Sequence, residues 1–283
     1  MERKILFTDL DDTLLGKDKT ICKENREAIA RLLDQGHYIV IATGRPITTG
    51  RIVTKELGLS MPGCYMVAFN GAVIYDCAAE RVLAQRALPL RVTKEIIDEA
   101  HKAGIYVQSY QQDIILTEQH GPELDYYLSH AKMRYQLVSD IYGSLEAEPN
   151  KVILIDVNDQ ERLLNFQKEH TELSEKCNSF FSRNEFLEYC PKDTDKGTGL
   201  KYIAQFLNVP LEHTVAVGDE RNDIPMLRAA HIGVAVKNAH ISLKRAADYV
   251  TEQDCGQGAI AEVIEKFILK DSMREKTLDT DVK

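Results

Sequence analysis

The sequence has no excess of basic residues, no long apolar run and no tryptophan. Its 35 Lys and Arg stand against 44 Asp and Glu, and this net charge of −9 excludes a broad basic surface for nucleic acid or anionic membrane. No apolar run is long enough to cross a bilayer, and a core strand predicted from Lys4 onward leaves no room for a signal peptide. We therefore expect a cytoplasmic protein that binds neither nucleic acid nor membrane.

Paired cysteines are also missing. The six cysteines are scattered and show no C-x-x-C spacing. Reduced thiols of a cytoplasmic protein explain them better than disulfides or a zinc site. The 283 residues, 44% hydrophobic and 28% charged, are enough for one large domain or two modest ones.

Apolar strands alternate with amphipathic helices at both ends of the chain. Residues 4–75 show a β-α-β-α-β pattern with a hairpin signal at Asn70-Gly71, and the alternation resumes at residues 196–269. This pattern predicts an α/β fold, a doubly wound, mostly parallel and Rossmann-like sheet with helices on both faces. We expect residues 1–82 and 190–270 to form this core.

The middle of the chain has a different pattern. Helices there alternate with two predicted hairpins, around Gln111-Gln112-Asp113 and around Asn184-Glu185, which is typical of an α+β module. We predict that residues 83–189 form a second domain inserted into the core. Residues 271–283 are polar, lack periodicity and are expected to be a disordered tail.

Three carboxylates follow the first predicted strand. Asp9, Asp11 and Asp12 come directly after the apolar residues 4–8, and ligand sites of open α/β sheets lie at the carboxyl ends of strands. Asp9 and Asp11 are two residues apart and can face the same side of the chain. Clustered anions repel each other, so they indicate a bound cation or a reaction. The alternative is an ordinary polar turn, in which aspartate is common.

Two helix starts carry groups suited to phosphate. Thr43 can donate its hydroxyl, Gly44 permits a close backbone approach, and Pro46 opens a helix whose free amides bind anions. The alternative is a plain helix cap. Lys196 opens another helix, where the helix dipole disfavours a cation unless an anion shares the site. The alternative for Lys196 is a solvated surface lysine.

A second acidic strand end follows residues 213–217. Asp219 and Asp223 suit a hard, oxygen-ligated cation such as Mg²⁺, and Asn222 can orient a phosphate oxygen. The alternative is a βα loop with an aspartate cap. If this strand lies beside the first and parallel to it, Asp219 is close to Asp9. Together the four clusters supply what phosphoryl transfer requires, namely positioning and charge neutralisation.

These motifs resemble those of the haloacid dehalogenase (HAD) superfamily. The segment Asp9-Leu10-Asp11-Asp12-Thr13 is similar to the D-x-D-x-T signature of its phosphatases, and Thr43, Lys196 and the segment from Gly218 to Asp223 are similar to the three later motifs. Asn70-Gly71-Ala72 and the long insertion resemble the Cof-type (HAD-IIB) subfamily with a C2B cap. The resemblance covers nearly the whole chain except the tail, and it implies a HAD-like core with an inserted cap.

The resemblance also implies the roles of the site residues. Asp9 would be the nucleophile that forms an aspartyl-phosphate, and Asp11 the general acid and then the base. Mg²⁺ would be held by Asp9, the main-chain carbonyl of Asp11, and Asp219. The groups that would bind the transferring phosphoryl group are Thr43, Gly44, Lys196 and Asn222. The supporting residues would be Thr13, which braces the loop, and Asp223, which supports the metal or Lys196.

Asp11 distinguishes the reaction types. An alkoxide leaving group needs a proton and a halide does not, so an acid at this position indicates phosphate monoester chemistry. We expect a Mg²⁺-dependent phosphatase of small phosphorylated metabolites, above all sugar phosphates. The alternatives are a phosphomutase on the same scaffold and a non-catalytic binding or regulatory protein. The physiological substrate and the oligomeric state are not determined by the sequence.

The inserted module holds several aromatic and basic residues that are candidates for contact with the leaving group. For each of them, core packing or surface exposure is the better explanation. These residues are Tyr110, His120, Tyr126, Tyr127 and Arg134.

Overall fold

The structure is a computed structural model that describes residues 2–112, 114–131 and 133–269. The predicted tail, residues 271–283, lies outside the described residues. Within the described part of the chain, fourteen strands form two sheets, and helices pack against both. No helix in those three ranges combines the length and the apolar character that a membrane span requires.

The larger sheet is built from both ends of the chain. Its strands in chain order are β1 (Ile5–Thr8), β2 (Tyr38–Ala42), β3 (Cys64–Ala68), β4 (Val73–Asp76), β5 (Arg81–Gln85), β12 (Thr214–Gly218), β13 (Ile232–Ala235) and β14 (Tyr249–Val250). They lie in the order β14-β13-β12-β1-β2-β3-β4-β5. The strands from β14 to β3 are parallel, whereas β4 and β5 are antiparallel. This large sheet confirms the predicted doubly wound core.

The second sheet comes from the middle of the chain. Its strands are β6 (Tyr106–Gln111), β7 (Ile114–Thr117), β8 (Arg134–Leu137), β9 (Val152–Ile155), β10 (Cys177–Arg183) and β11 (Phe186–Pro191). In this small sheet the order is β10-β11-β9-β6-β7-β8, and every pair is antiparallel except β7 and β8. Both predicted hairpins are therefore confirmed.

Eleven α-helices connect the strands in the described residues. They are α1 (Lys23–Asp34), α2 (Ile47–Glu56), α3 (Leu90–Lys102), α4 (Pro122–His130), α5 (Ile141–Ser144), α6 (Gln160–Glu169), α7 (Thr171–Ser174), α8 (Lys196–Phe206), α9 (Ile224–Ala229), α10 (Ile241–Ala246) and α11 (Ala259–Val263). A π-helical segment, Ile264–Leu269, continues α11.

The apolar spacing of residues 160–172 predicts one continuous helix, and this prediction is wrong. His170 leaves the helical conformation at φ −113° and ψ 49°, and its ring contacts the carbonyl of Phe166 at 2.8 Å. The chain therefore forms α6 and α7 with a break between them. The apolar spacing of the two pieces continues across the break, so periodicity alone did not reveal it.

The predicted borders of the inserted module fall inside strands. Strand β5 continues in the large sheet to Gln85, beyond the border at 82, and β11 continues in the small sheet to Pro191, beyond the border at 189. Strand β5 lies at the edge of its sheet and is only partly covered, so its sequence lacks the apolar pattern of a buried strand. The division into a core and an inserted domain stays a prediction.

The register of the central strands positions the predicted motifs. Ile5, Leu6 and Phe7 of β1 are fully buried, as expected for a strand covered on both faces. Thr8 pairs with Val217 of β12 on one side and with Ile41 of β2 on the other. The loops that follow β1, β2 and β12 therefore begin at the same level and at the same edge of the sheet.

Candidate active site

The loop after β1 places Asp9 at the floor of a cleft. The Asp9 amide continues the strand pairing by donating to the carbonyl of Val217 at 2.9 Å, and residues Leu10–Leu14 then form a turn in which Asp11 and Asp12 are not helical. Asp12 in this turn has φ +60°, a left-handed conformation that aspartate tolerates better than most residues. The carboxylate of Asp9 is buried but still lines the cleft.

Lys196 lies between two carboxylates. Its Nζ atom is 2.5 Å from Oδ1 of Asp9 and 2.5 Å from Oδ1 of Asp223, and the side chain is buried. The helix that carries it, α8, begins with a capping box in which Asp195 and Thr198 exchange hydrogen bonds. Burial alone would lower the pKa of Lys196, but the charges of Asp223 and Asp9 raise it above its usual range. Lys196 is therefore a fixed cation and not a surface lysine.

Three carboxylates meet beside this lysine. Oxygen atoms of Asp9, Asp219 and Asp223 all lie within 4.8 Å of one another, which confirms the expected proximity of Asp9 and Asp219. Burial raises the pKa of Asp9 to about 7, and the neighbouring acids add to this effect while Lys196 opposes it. Burial and the charges of Asp9 and Asp223 also raise the pKa of Asp219 well above its ordinary value. The single positive charge of Lys196 does not balance the three carboxylates, so the cluster has an excess of negative charge.

This excess of buried carboxylate oxygen fits a divalent cation. Hard oxygen ligands of this kind are those that Mg²⁺ takes in proteins. Thr13 donates its hydroxyl to Oδ1 of Asp219 at 2.8 Å and so braces that carboxylate. Asp223 uses Oδ2 to accept from the amides of Asp219 and Glu220, each at 3.0 Å, while its Oδ1 contacts Lys196. Asp223 therefore supports both Asp219 and Lys196.

The loop after β2 brings Thr43 and Gly44 to the same cleft. Thr43 is buried, and its Oγ1 accepts from the amide of Arg45 at 3.1 Å, which leaves the hydroxyl hydrogen available for donation. Pro46 precedes α2 and is its N-cap residue, not its first residue as expected. Both Thr43 and Gly44 line the cleft.

Asp11 is not part of the acidic cluster, and its carboxylate is held by two cations. Arg45 donates from Nε and Nη2 to the two oxygens of Asp11, both at 2.7 Å, and Lys19 donates to Oδ1 at 3.0 Å. Burial alone would raise the pKa of Asp11, but Arg45 and Lys19 lower it below its ordinary value. These contacts favour the ionised form of the Asp11 side chain and hold its carboxylate on the two cations.

Asn222 lines the cleft from the loop after β12. Its Nδ2 donates to Oδ1 of Asn70 at 3.0 Å, and Asn70 follows β3 in the turn Phe69–Gly71. Asn70 has φ +52°, and Gly71 has φ +105°. A Cβ atom at Gly71 would lie 2.2 Å from the carbonyl oxygen of Asp195, so only glycine lets this turn pack against the start of α8.

The small sheet covers the cleft from the opposite side. Of the five aromatic and basic residues named from the sequence, Tyr127 is the one that lines the cleft, together with His130, Arg183 and Phe186. Tyr110 is buried and donates its hydroxyl to the Tyr127 hydroxyl, 2.7 Å away. The other three do not line the cleft; they are His120, Tyr126 and Arg134.

Sequence reasoning missed several cleft residues. Arg45 stands just before a helix, where the helix dipole disfavours a cation. For Lys196 such a position was taken to indicate a nearby anion, and the same argument would have identified Arg45. Lys151 and Glu188 are charged residues beside or within apolar strand sequences, and both are buried in the structure. A charged residue within or beside a strand whose other residues are mostly apolar is the signal that could have identified them.

The family of the chain follows from comparison with known proteins. The chain matches the model of the haloacid dehalogenase-like hydrolases over residues 6–264. It therefore belongs to the haloacid dehalogenase-like hydrolase family, and its relatives place it in the phosphatase class of these enzymes.

Two curated proteins of Bacillus subtilis illustrate the similarity. The 5-amino-6-(5-phospho-D-ribitylamino)uracil phosphatase YitU is 29% identical over 278 residues, covering 95% of this chain and all of the relative. Phosphatase YwpJ is 28% identical over 272 residues, covering 88% of this chain and 94% of the relative.

Solved structures agree with this assignment. A haloacid dehalogenase-like hydrolase from Bacteroides thetaiotaomicron superposes with a TM-score of 0.83 at 28% identity, covering 94% of this chain and 99% of the other. The HAD subclass IIB sugar phosphatase BT4131 superposes with a TM-score of 0.77 at 25% identity, covering 93% and 98%. The resemblance to the Cof-type, subclass IIB branch is thereby confirmed.

Proposed function

We propose that this protein is a Mg²⁺-dependent phosphatase that hydrolyses small phosphorylated metabolites through an aspartyl-phosphate at Asp9. The single observation that carries the proposal is that charged side chains from three strand-to-helix connections meet at one place. Asp9 follows β1, Asp219 and Asp223 both follow β12, and Lys196 begins α8 after β11, yet these side chains meet beside the cleft. Such an arrangement costs stability unless charge from a ligand offsets it.

The carboxylate of Asp9 is the proposed nucleophile. It attacks phosphorus, the bond from phosphorus to the ester oxygen breaks, and the electron pair remains on that oxygen. Thr43, Gly44, Lys196 and Asn222 would bind the phosphoryl oxygens, since all four surround Asp9 or line the same cleft. Asp9, Asp219 and the main-chain carbonyl of Asp11 would hold Mg²⁺, which when bound screens the negative charges of Asp9 and phosphate from each other.

Asp11 is the proposed acid and base. It gives a proton to the leaving oxygen and then takes one from the water that attacks phosphorus, which breaks the bond to Asp9 and restores its carboxylate. The hydrogen bonds from Arg45 and Lys19 favour the ionised form of Asp11, which suits the second step. For the first step, we propose that Asp11 leaves Arg45 and Lys19, which lifts the interactions that favour its ionised form, takes up a proton from solvent and donates it to the leaving oxygen.

The proposed substrate class rests on the relatives. YitU is named for a phosphorylated ribityl compound and BT4131 for sugar phosphates, so we propose sugar phosphates and similar small metabolites for this chain. The cytoplasmic location expected from the sequence belongs to the same proposal. All six cysteines are free thiols in the structure, in line with a reducing compartment.

The test is release of inorganic phosphate from p-nitrophenyl phosphate and from a panel of sugar phosphates. We expect turnover that needs Mg²⁺, stops on chelation and is abolished in Asp9→Asn. The matched control is Asn25→Ala, which removes the acceptor of a hydrogen bond from the Ala261 amide at a position that does not line the cleft. Isomerised product without free phosphate would identify a phosphomutase instead, and turnover by Asp9→Asn would refute the nucleophile.

A further inference from the structure

A buried ion pair stands at the contact between the two sheets. Lys151, just before β9, and Glu188 in β11 are 2% and 3% exposed, and Lys151 Nζ lies 3.0 Å from Oε2 of Glu188. The other carboxylate oxygen, Oε1, accepts from the hydroxyl of Ser182 at 2.5 Å. The proposed chemistry uses neither charge. Buried ion pairs of this kind can often be replaced by apolar residues without loss of stability, so stability alone does not account for it.

Both members of the pair also bond to the large sheet. Lys151 Nζ donates to the carbonyl of Gly44 at 3.2 Å, and Asn70 Nδ2 donates to Oε2 of Glu188 at 2.8 Å. Gly44 belongs to the loop after β2, and Asn70 is the residue that contacts Asn222. The ion pair therefore reaches two segments that carry proposed phosphate-binding groups.

The chemistry of the donors determines how the amides are oriented. A carboxylate only accepts hydrogen bonds, so Asn70 must turn its NH₂ group toward Glu188 and its carbonyl oxygen toward Asn222. That oxygen only accepts, so Asn222 must in turn present its own NH₂ group. One of the two N–H bonds of Asn222 is then engaged by Asn70, and the second can donate into the cleft that Asn222 lines.

Asn70 has little freedom to move out of this chain of hydrogen bonds. Its main-chain N–H donates to the carbonyl of Thr43 at 3.0 Å, and its φ of +52° is held by the tight turn after β3. A Cβ atom at Gly44 would lie 3.2 Å from both polar atoms of the Asn70 side chain, so the side-chain amide of Asn70 packs directly against Gly44. The orientation of Asn70 thus follows from its hydrogen-bond partners.

We infer that Glu188 is a positioning residue, which acts through Asn70 to make Asn222 present an N–H donor to the phosphoryl group. This inference rests on the proposed function for the role of Asn222. Because Glu188 lies in the small sheet and Asn222 follows β12 of the large sheet, the donor is set correctly only while the two sheets are packed together. The hydrogen-bonded series Glu188, Asn70 and Asn222 is called the amide relay below.

The first test is a cycle of variants with p-nitrophenyl phosphate. Glu188→Leu removes the acceptor of the Asn70 side-chain NH₂ group, so nothing fixes which end of the Asn70 amide faces Asn222. We expect kcat/KM to fall roughly 10- to 100-fold, the range for residues that orient a binding group. In an Asn222→Ala background the same Glu188→Leu change should cause no further loss. An equal loss in both backgrounds would overturn the inference.

A compensating variant separates positioning from a merely structural role. In the double variant Glu188→Leu, Asn70→Asp, the carboxylate at position 70 only accepts, so Asn222 again presents its NH₂ group, and the carboxylate restores a negative charge near Lys151. Aspartate also tolerates the positive φ at this position. We expect this double variant to recover about tenfold of the loss in kcat/KM caused by Glu188→Leu alone. A double variant that is no better than the single one would contradict the relay.

A measurement without turnover completes the test. In protein labelled with ¹⁵N-asparagine, the side-chain amide signals of Asn222 and Asn70 are identified by their loss in Asn222→Ala and Asn70→Ala. Glu188→Leu should shift both pairs of signals, whereas Asn25→Ala should leave them in place. Unmoved signals would overturn the relay even if the enzyme is active. Absence of wild-type phosphatase activity would overturn the proposed function, and the signals would still decide the relay.

Discussion

The loss of Lys196 provides the sharpest test of the charge balance at the site. Its Nζ atom is 2.5 Å from a carboxylate oxygen of Asp9 and from one of Asp223, and its side chain is 1% exposed. In Lys196→Met the shape is largely kept, but Asp9, Asp219 and Asp223 remain within 4.8 Å of one another without their cation. We therefore expect a large destabilisation of the metal-free protein.

The magnitude follows from the burial of the pair. Removing one partner of a buried ion pair costs about 3–5 kcal/mol, because the remaining charge is left uncompensated. One acid of the cluster can take up a proton, which limits the loss, so we expect roughly 3 kcal/mol at neutral pH. The assay is urea unfolding at 25 °C in the presence of a chelator, with the free energy of unfolding extrapolated to water.

Two further variants make this prediction specific. Lys201→Met changes an exposed lysine of the same helix and should alter the free energy of unfolding by less than about 0.5 kcal/mol. Adding Asp223→Asn to Lys196→Met removes one of the uncompensated acids and should recover about 1 kcal/mol or more. A Lys196→Met protein as stable as Lys201→Met would refute the reasoning.

Two more predictions concern the fold. Gly71→Ala should lower the free energy of unfolding by more than about 2 kcal/mol, because φ is +105° and the added Cβ would lie 2.2 Å from the Asp195 carbonyl oxygen. The control is Gly36→Ala, where φ is +80° but the Cβ would meet open space. This control should lower the free energy of unfolding by only about 1 kcal/mol. His37 is buried and accepts from the amide of Lys4, and burial followed by the charge of Lys4 lowers its pKa. Below about pH 6.5 the unfolded chain therefore binds more protons than the folded protein. From pH 7.5 to 5 the free energy of unfolding, measured with urea, should fall more steeply in the wild type than in His37→Asn. An equal dependence on pH in the two proteins would contradict this.

The strand-end motifs could be predicted from the sequence because they are local. An apolar run that ends in acids, a hydroxyl residue or a glycine indicates both a buried strand and a site at its carboxyl end. Once the first and fourth motif strands were taken to be parallel neighbours, the meeting of Asp9 and Asp219 followed. The observed pairing of Thr8 with Val217 is the register that brings them together.

The rest of the site could not be predicted because its contacts are distant in sequence and cross between two sheets. Glu188 and Asn70 are 118 residues apart, and nothing in either local pattern indicates the other. Lys151 and Glu188 belong to the small sheet, whose packing on the large sheet depends on side-chain shape and not on periodicity. The pairing of Asp11 with Arg45 likewise depends on the direction taken by a loop.

Some secondary structure was also beyond sequence patterns. Strand β8 is exposed along its whole length, and β5 is exposed or only partly covered, so neither has the alternation of a half-buried strand. Helix α5 has only four residues, too few for helical periodicity to be recognised. These elements form because a neighbouring strand or helix supplies hydrogen bonds and packing, which a single segment does not reveal.

Trapping of the phosphoenzyme tests the central claim most directly. Wild-type protein is mixed with Mg²⁺ and p-nitrophenyl phosphate, quenched and treated with borohydride, which reduces an aspartyl-phosphate to homoserine, and its peptides are examined by mass spectrometry. We predict homoserine at position 9 that is absent without substrate and absent when a chelator replaces Mg²⁺. An active enzyme that shows no reduction at position 9, or reduction at another carboxylate such as Asp219, would contradict the account.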